Sequence, residues 1–149
     1  MKIAWGMAAY GPIWPPAYTS HLIAIAYASR TLHVEHMDAI GGVGATDRMY
    51  THAAENQLVK DFLSDESLTH LFFTEQDMLL PKDAIPRLLE VGKPIVSGIY
   101  FLRNGNGQPC LYQKIMTTRE NRFMHSPVHI FPTDRPFRVD CPGLGCVLF

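Results

Sequence analysis

Between Thr69 and Pro81 an apolar run, Leu71-Phe72-Phe73, ends in two acids one residue apart, Glu75 and Asp77. A short step through Met78-Leu79-Leu80-Pro81 then leads into a helical pattern beginning near Lys82. A run this apolar reads as a buried strand, and a buried strand can present a carboxylate-x-carboxylate pair only where it leaves the sheet. In open α/β sheets the carboxyl ends of the strands border the ligand crevice. Two carboxylates drawn out of water there need a partner. A divalent cation bridging to a diphosphate is one, because Mg²⁺ and Mn²⁺ take carboxylate and phosphate oxygens together.

The rest of the N-terminal two-thirds alternates strand and helix. Lys2–Met7 reads as the first strand, residues 8–16 as a loop rich in Gly and Pro, and Thr19 or Ser20 as the cap of a helix reaching about Arg30. Leu32–Met37 reads as the second strand. A loop containing Gly41, Gly42 and Gly44 follows, and Asp47 can cap a helix to about Leu63 that turns Ala54, Leu58 and Phe62 toward the sheet. His70–Thr74 is the third strand, Asp83–Val91 a helix with Gly92 as its C-cap, and Pro94–Ser97 opens the fourth strand. This order predicts an α/β fold with a mainly parallel central sheet flanked by helices.

After Gly98 the pattern changes to a mixed or antiparallel part. Asn104-Gly105-Asn106-Gly107, between Ile99–Phe101 and Leu111–Tyr112, reads as the turn of a hairpin. Residues 117–127 read as polar and irregular, and Phe137–Asp140 and Cys146–Phe149 as short strands around Pro142-Gly143-Leu144-Gly145. The sequence closes on the apolar Val147-Leu148-Phe149. This raises two expectations: a domain incomplete after Phe149, and a sheet edge covered by self-association into a homo-oligomer.

With 149 residues, 47% of them hydrophobic and 18% charged, the chain can form one domain with a core of its own. A formal net charge of −1 argues against a general nucleic-acid or anionic-membrane binder. No apolar run reaches the roughly 18 residues of a membrane span, and the first residues lack the apolar stretch of a signal peptide. Cys110, Cys141 and Cys146 show no CxxC spacing and read as free thiols of a cytoplasmic protein.

The segment His70–Pro81, centred on Glu75-Gln76-Asp77, resembles the acidic strand end of nucleotide-sugar-dependent glycosyltransferases of the GT-A fold, in particular the small family-2-like phage and bacterial type. Asn56-Gln57-Leu58-Val59 is similar to the helix before that motif. Lys93–Arg103 is similar to the next strand and the segment leading to the acceptor, and Val139–Leu148 to the glycine-containing strand that lines the acceptor pocket. The resemblance spans Thr46 to Phe149; the first 45 residues follow it by element order alone.

It implies a Rossmann-like GT-A fold and a metal-dependent transfer of a sugar from a UDP- or GDP-linked donor to an unknown acceptor. Asp77 would bind Mn²⁺ or Mg²⁺, with Glu75 at the metal or the donor ribose. Ala9, Tyr10, Asp38, Asn56 and Gln76 would lie on the donor side, and Gly98, Arg103, Gly143 and Gly145 on the acceptor side.

The sequence also departs from that family. Glu75 stands where Asp is usual, and Glu55-Asn56 where an Arg-Asn pair is common. No candidate for the downstream catalytic base occurs up to Phe149, and an inverting displacement needs one within hydrogen-bond reach of the acceptor hydroxyl. A second hypothesis is therefore a non-catalytic or truncated sugar-nucleotide-binding module acting with a partner. A third, ranked lower, is a sugar-phosphate nucleotidyltransferase, because Ala8-Ala9-Tyr10-Gly11-Pro12 lacks the basic residue those enzymes carry after the first strand.

Plainer roles compete at single positions. Acids before a helix suit its dipole, and Asp38 before glycines is ordinary turn chemistry. Gly41-Gly42-Val43-Gly44 lacks the ending of a phosphate-binding loop. His125 and His129 have ligand spacing only on a helix, which Pro127 opposes.

Overall fold

The computed structural model describes residues 1–9, 11–36, 51–116 and 123–149. Tyr10, Asp38 and the loop of Gly41, Gly42 and Gly44 lie outside the described residues. The chain divides into two compact units, residues 1–96 with 144–149, and residues 97–143.

In the first unit, β1 (Lys2–Ala8) pairs in parallel with β2 (His33–His36) on one side and with β3 (His70–Glu75) on the other. β8 (Cys146–Leu148) lies against the far side of β3, antiparallel to it, and is followed by β4 (Val96–Ser97) in the order β2-β1-β3-β8-β4. The sheet is therefore mixed, where the sequence pattern predicts a mainly parallel one. The apolar Val147-Leu148 run also receives its explanation. It is an inserted central strand with both neighbours in place, so it leaves no sheet edge open, and the stated ground for self-association through it falls away.

Among the described residues three helices cover this sheet. α1 (Pro15–Ala28) and α3 (Ala84–Glu90) pack on one face, where Ile3, Trp5, Met7 and Phe72 meet Ala24, Ala28, Ile85 and Leu88. α2 (Thr51–Ser64) packs on the other, where Ala4, Ala8, Leu71 and Phe73 meet Ala54 and Leu58. The period-2 alternation of a strand divides β3 between these faces, with Phe72 and Thr74 toward α1 and α3, and Leu71, Phe73 and Glu75 toward α2. Close approach of α2 depends on Gly6, where an added Cβ would lie 2.9 Å from Leu58 Cδ2.

α1 starts four residues before the predicted cap. Pro15 and Pro16 occupy its first turn, where the missing N–H costs nothing and φ is already helical, and the Tyr18 N–H reaches the Trp14 carbonyl at 3.1 Å. Ser20 is therefore inside the helix. Its hydroxyl donates to the Ala17 carbonyl (2.7 Å) with the Met78 carbonyl at 3.4 Å, and accepts the Leu80 N–H at 3.1 Å.

The second unit is built on an antiparallel sheet, β5 (Leu111–Met116) between β6 (Phe123–Pro127) and β7 (Cys141–Pro142). β6 replaces part of the segment that reads as irregular, and no strand forms at Phe137–Asp140, where the Asp140 carboxylate instead accepts the Lys114 N–H at 2.9 Å. The predicted hairpin is present in outline: Cys110 N–H donates to the Tyr100 carbonyl (2.9 Å) and Leu102 N–H to the Gln108 carbonyl (2.8 Å). The three cysteines are free thiols. Among the described residues no helix is long and apolar enough to cross a membrane.

Candidate functional site

Parallel strands end together, so the carboxyl ends of β1 and β3 form one rim. Ala8 pairs with Glu75 there, and the Gln76 N–H donates to the Ala8 carbonyl at 3.2 Å. From the other side the Glu75 N–H donates to the Gly145 carbonyl at 3.1 Å, and the Met78 N–H closes a turn onto the Glu75 carbonyl at 3.3 Å. Glu75 is thus held through its backbone by β1, by the residue before β8 and by its own turn, a fixed platform for the carboxylates that follow. The Ser20 hydroxyl anchors the next stretch through Met78 and Leu80.

The electrostatics of this rim are strained. Burial, the Asp77 carboxylate and the Glu55 carboxylate all push the Glu75 carboxyl above its ordinary range. Burial raises Glu55 as well, and His52, one turn earlier on α2, partly offsets it. These groups converge because α2 runs antiparallel to the strands it covers. Its N-terminal turns therefore sit at the same end of the sheet as Glu75, which faces α2 by strand alternation.

His21 lies on the opposite face. It is fully buried in the inward stripe Ala17-His21-Ala24-Ala28 and meets Trp5 edge-on, with ring centroids 6.0 Å apart. The Trp5 indole N–H is itself bonded to the buried Thr74 hydroxyl at 3.1 Å. Neither ring nitrogen of His21 has a partner at hydrogen-bonding geometry, although the Met78 backbone lies toward it. Burial therefore holds its pKa below the usual imidazole value, against smaller opposing effects of Met78 and Asp77.

The residues expected on the donor side fall into three groups. Glu75, Gln76, Asp77 and Ala9 are half-buried at the rim. Asn56 is on α2 but exposed, and its neighbours Glu55 and Gln57 are half-buried. Tyr10 and Asp38 lie outside the described residues. Of the acceptor-side set, Gly145 is in the first unit and bonds Glu75, whereas Gly98, Arg103 and Gly143 belong to the second. Gly143 is required there for packing, because an added Cβ would run into the Tyr100 hydroxyl and come within 3.0 Å of Cys110 Cβ.

Sequence reading missed Glu55 at this rim and His21 buried on the opposite face. Both signals are helical phase: Glu55 is three residues before the buried Leu58, and His21 is in register with the buried Ala17, Ala24 and Ala28.

Among the described residues no three His, Cys, Asp or Glu side chains are grouped so as to hold a metal ion by themselves. A closed cage of the structural-zinc kind is therefore not formed by them. Two strand-end carboxylates suit an ion that completes its shell with water and phosphate oxygens, which is how Mg²⁺ sites are usually built.

No family model matches the sequence, and no curated protein matches it either. Among solved structures it is similar to the viral protein A197 from STIV, with a TM-score of 0.53 and 14% sequence identity over 99% of this chain. The chain spans 64% of the length of that protein. At this identity the likeness concerns the fold, a mixed α/β architecture with flanking helices.

Proposed function

We propose that this chain is a metal-dependent glycosyltransferase of the GT-A type, using a UDP- or GDP-linked sugar and Mn²⁺ or Mg²⁺. The observation that carries this reading is the placement of Glu75 and Asp77, with Glu55 beside them, at the carboxyl ends of the parallel strands. Carboxyl groups gathered and half-buried at one end of a sheet are costly for a merely structural rim. They become useful when a divalent ion and a diphosphate meet on them.

In this reading Asp77 and Glu75 hold the ion. When bound, the ion supplies Lewis-acid stabilisation of the leaving diphosphate. The chain's own contribution is positioning. The Ala8 and Gly145 carbonyls fix the backbone of Glu75 and Gln76, the 75–78 turn sets the direction of Asp77, and Ser20 restrains the chain from Met78 to Leu80. Glu55 narrows the rim on the α2 side, and because it is an acid where a cation would contact diphosphate directly, it makes donor affinity depend more steeply on the metal.

The test is calorimetric titration of the chain with UDP, GDP and their sugar conjugates in Mn²⁺, then in EDTA. Binding that needs the metal and disappears in Asp77→Asn supports the proposal; no binding to any of the four ligand types overturns it. Binding with no release of UDP or GDP in the presence of candidate acceptors would instead assign a non-catalytic sugar-nucleotide module.

A further inference from the structure

α1 differs from an ordinary surface helix. A helix covering one side of a sheet normally turns charged residues to solvent. From Pro15 to Ala28 there is not one Asp, Glu, Lys or Arg. Its inner stripe is Ala17-His21-Ala24-Ala28, and its outward positions are Pro15, Tyr18, Thr19, Leu22, Ile23 and Ala26, all exposed. The large side chains there stand well out of the protein: Trp14 is 51% exposed, Tyr18 40%, Leu22 45% and Ile23 51%. With the exposed Pro15, Thr19 and Ala26 they present on the order of 500 Å² of mostly apolar surface, larger than the scattered apolar residues of a normal surface.

We infer that this face of α1 is the contact by which two copies of the chain associate, α1 against α1 about a two-fold axis. Charge, area and shape favour a second copy over other occupants. A two-fold contact sets a patch against itself, so a patch of one charge would repel its own copy; the helix that forms this one has no charged residue, and the nearby Arg30 and Lys82 lie over Tyr27 at its C-terminal end. A symmetric pair would bury about 1,000 Å², the size at which specific interfaces begin. A lipid surface suits the patch less well, because interfacial helices pair their apolar face with Lys and Arg, which α1 lacks. The unit that carries α1 also has seven Lys and Arg against eleven Asp and Glu, and would be repelled by anionic headgroups. The small Thr19 and Ala26 among larger neighbours let two helix axes approach closely.

The experiment is sedimentation velocity of the 149-residue chain from about 2 to 200 µM, a range that brackets the weak end expected for an interface of this size. The expected result is a reversible monomer–dimer equilibrium. Leu22→Glu and Leu22→Lys, each of which keeps a good helix former at an exposed position, should each be monomeric with unchanged circular dichroism. Mixing the two variants should restore the dimer, since opposite charges then face each other across the axis. A wild-type chain that stays monomeric over the whole range overturns the inference. A dimer that survives both substitutions does so too, and so does a monomer that floats with phosphatidylcholine vesicles through Leu22, which would give the face to lipid.

Discussion

The two ends of the central sheet are built from the same strands and treated in opposite ways. At the amino end the polar groups around Lys2 answer one another. The Lys2 ammonium donates to the Ser67 hydroxyl at 2.8 Å and lies 3.9 Å from the Asp65 carboxylate, and the Lys2 N–H donates to the Thr69 hydroxyl at 3.0 Å. The Ser67 hydroxyl and N–H both donate to Asp65, holding its carboxyl below the ordinary range. At the carboxyl end burial and two neighbouring acids push Glu75 the other way, and a fully buried His21 has no hydrogen-bond partner. Local consistency is what stabilises a fold, and departures from it concentrate where a protein does something else. The contrast is why the proposed site is placed at the carboxyl end of this sheet.

The comparison can be broken most directly at Asp77. Asp77→Asn is expected to weaken metal-dependent donor binding by at least about 100-fold, roughly 2.7 kcal/mol, with the circular dichroism spectrum unchanged. Wild-type affinity in that variant would remove Asp77 from the ligand set.

His21→Leu comes next. The folded-state pKa of His21 lies below the ordinary 6.5, so between those two values the unfolded chain binds the extra proton and the folded chain does not. Stability is therefore full above about pH 6.5 and falls as pH drops below it. Thermal midpoints followed from about pH 7.5 to 5 should decline less steeply in His21→Leu than in the wild type. Parallel declines would show that His21 does not carry the acid sensitivity.

Glu75→Gln should give a smaller change of unusual sign. A raised carboxyl pKa means that the folded chain holds more protons than the unfolded one, so stability is lost as pH rises through the raised value. Removing the charge should therefore raise the midpoint at pH 7 by an amount on the order of 2 °C, a gain that fades in acid, while donor binding drops. A lower midpoint at pH 7 would contradict the picture of a rim strained for function. Asp65→Asn, at the amino end, should do the reverse on the smallest scale. Because its pKa is depressed, Asp65 contributes above the ordinary carboxylate range and not in strong acid. Asp65→Asn should cause a slight loss at neutral pH that disappears in acid, and no effect on ligand binding.

The parts of the molecule that were legible in the sequence are those governed by local pattern. Leu71-Phe72-Phe73 running into Glu75 and Asp77 could hardly be other than a buried strand meeting a rim, and β3 ends at Glu75. The helix after it and the change of character near Gly98 also follow from neighbouring residues, the latter close to the division between units after Val96. What depended on distant partners was not legible. Val147-Leu148 is apolar because it sits between β3 and β4, yet no local pattern states which strand it will join or in which direction. Glu55 and His21 were not legible because a residue's helical phase can be read locally but the groups it meets across the packing, Glu75 for one and Trp5 for the other, are set by tertiary contacts. The position of Glu75 and Asp77 at the end of β3 was readable because it is set within one short segment.

The most direct test is paramagnetic resonance of free Mn²⁺ titrated with the chain in the presence of UDP or GDP, comparing the wild type with Asp77→Asn and Asp65→Asn. The account predicts that the free-ion signal falls with wild type and with Asp65→Asn and stays unchanged with Asp77→Asn. Equal loss of signal in all three would place the ion away from the strand-end acids and contradict it.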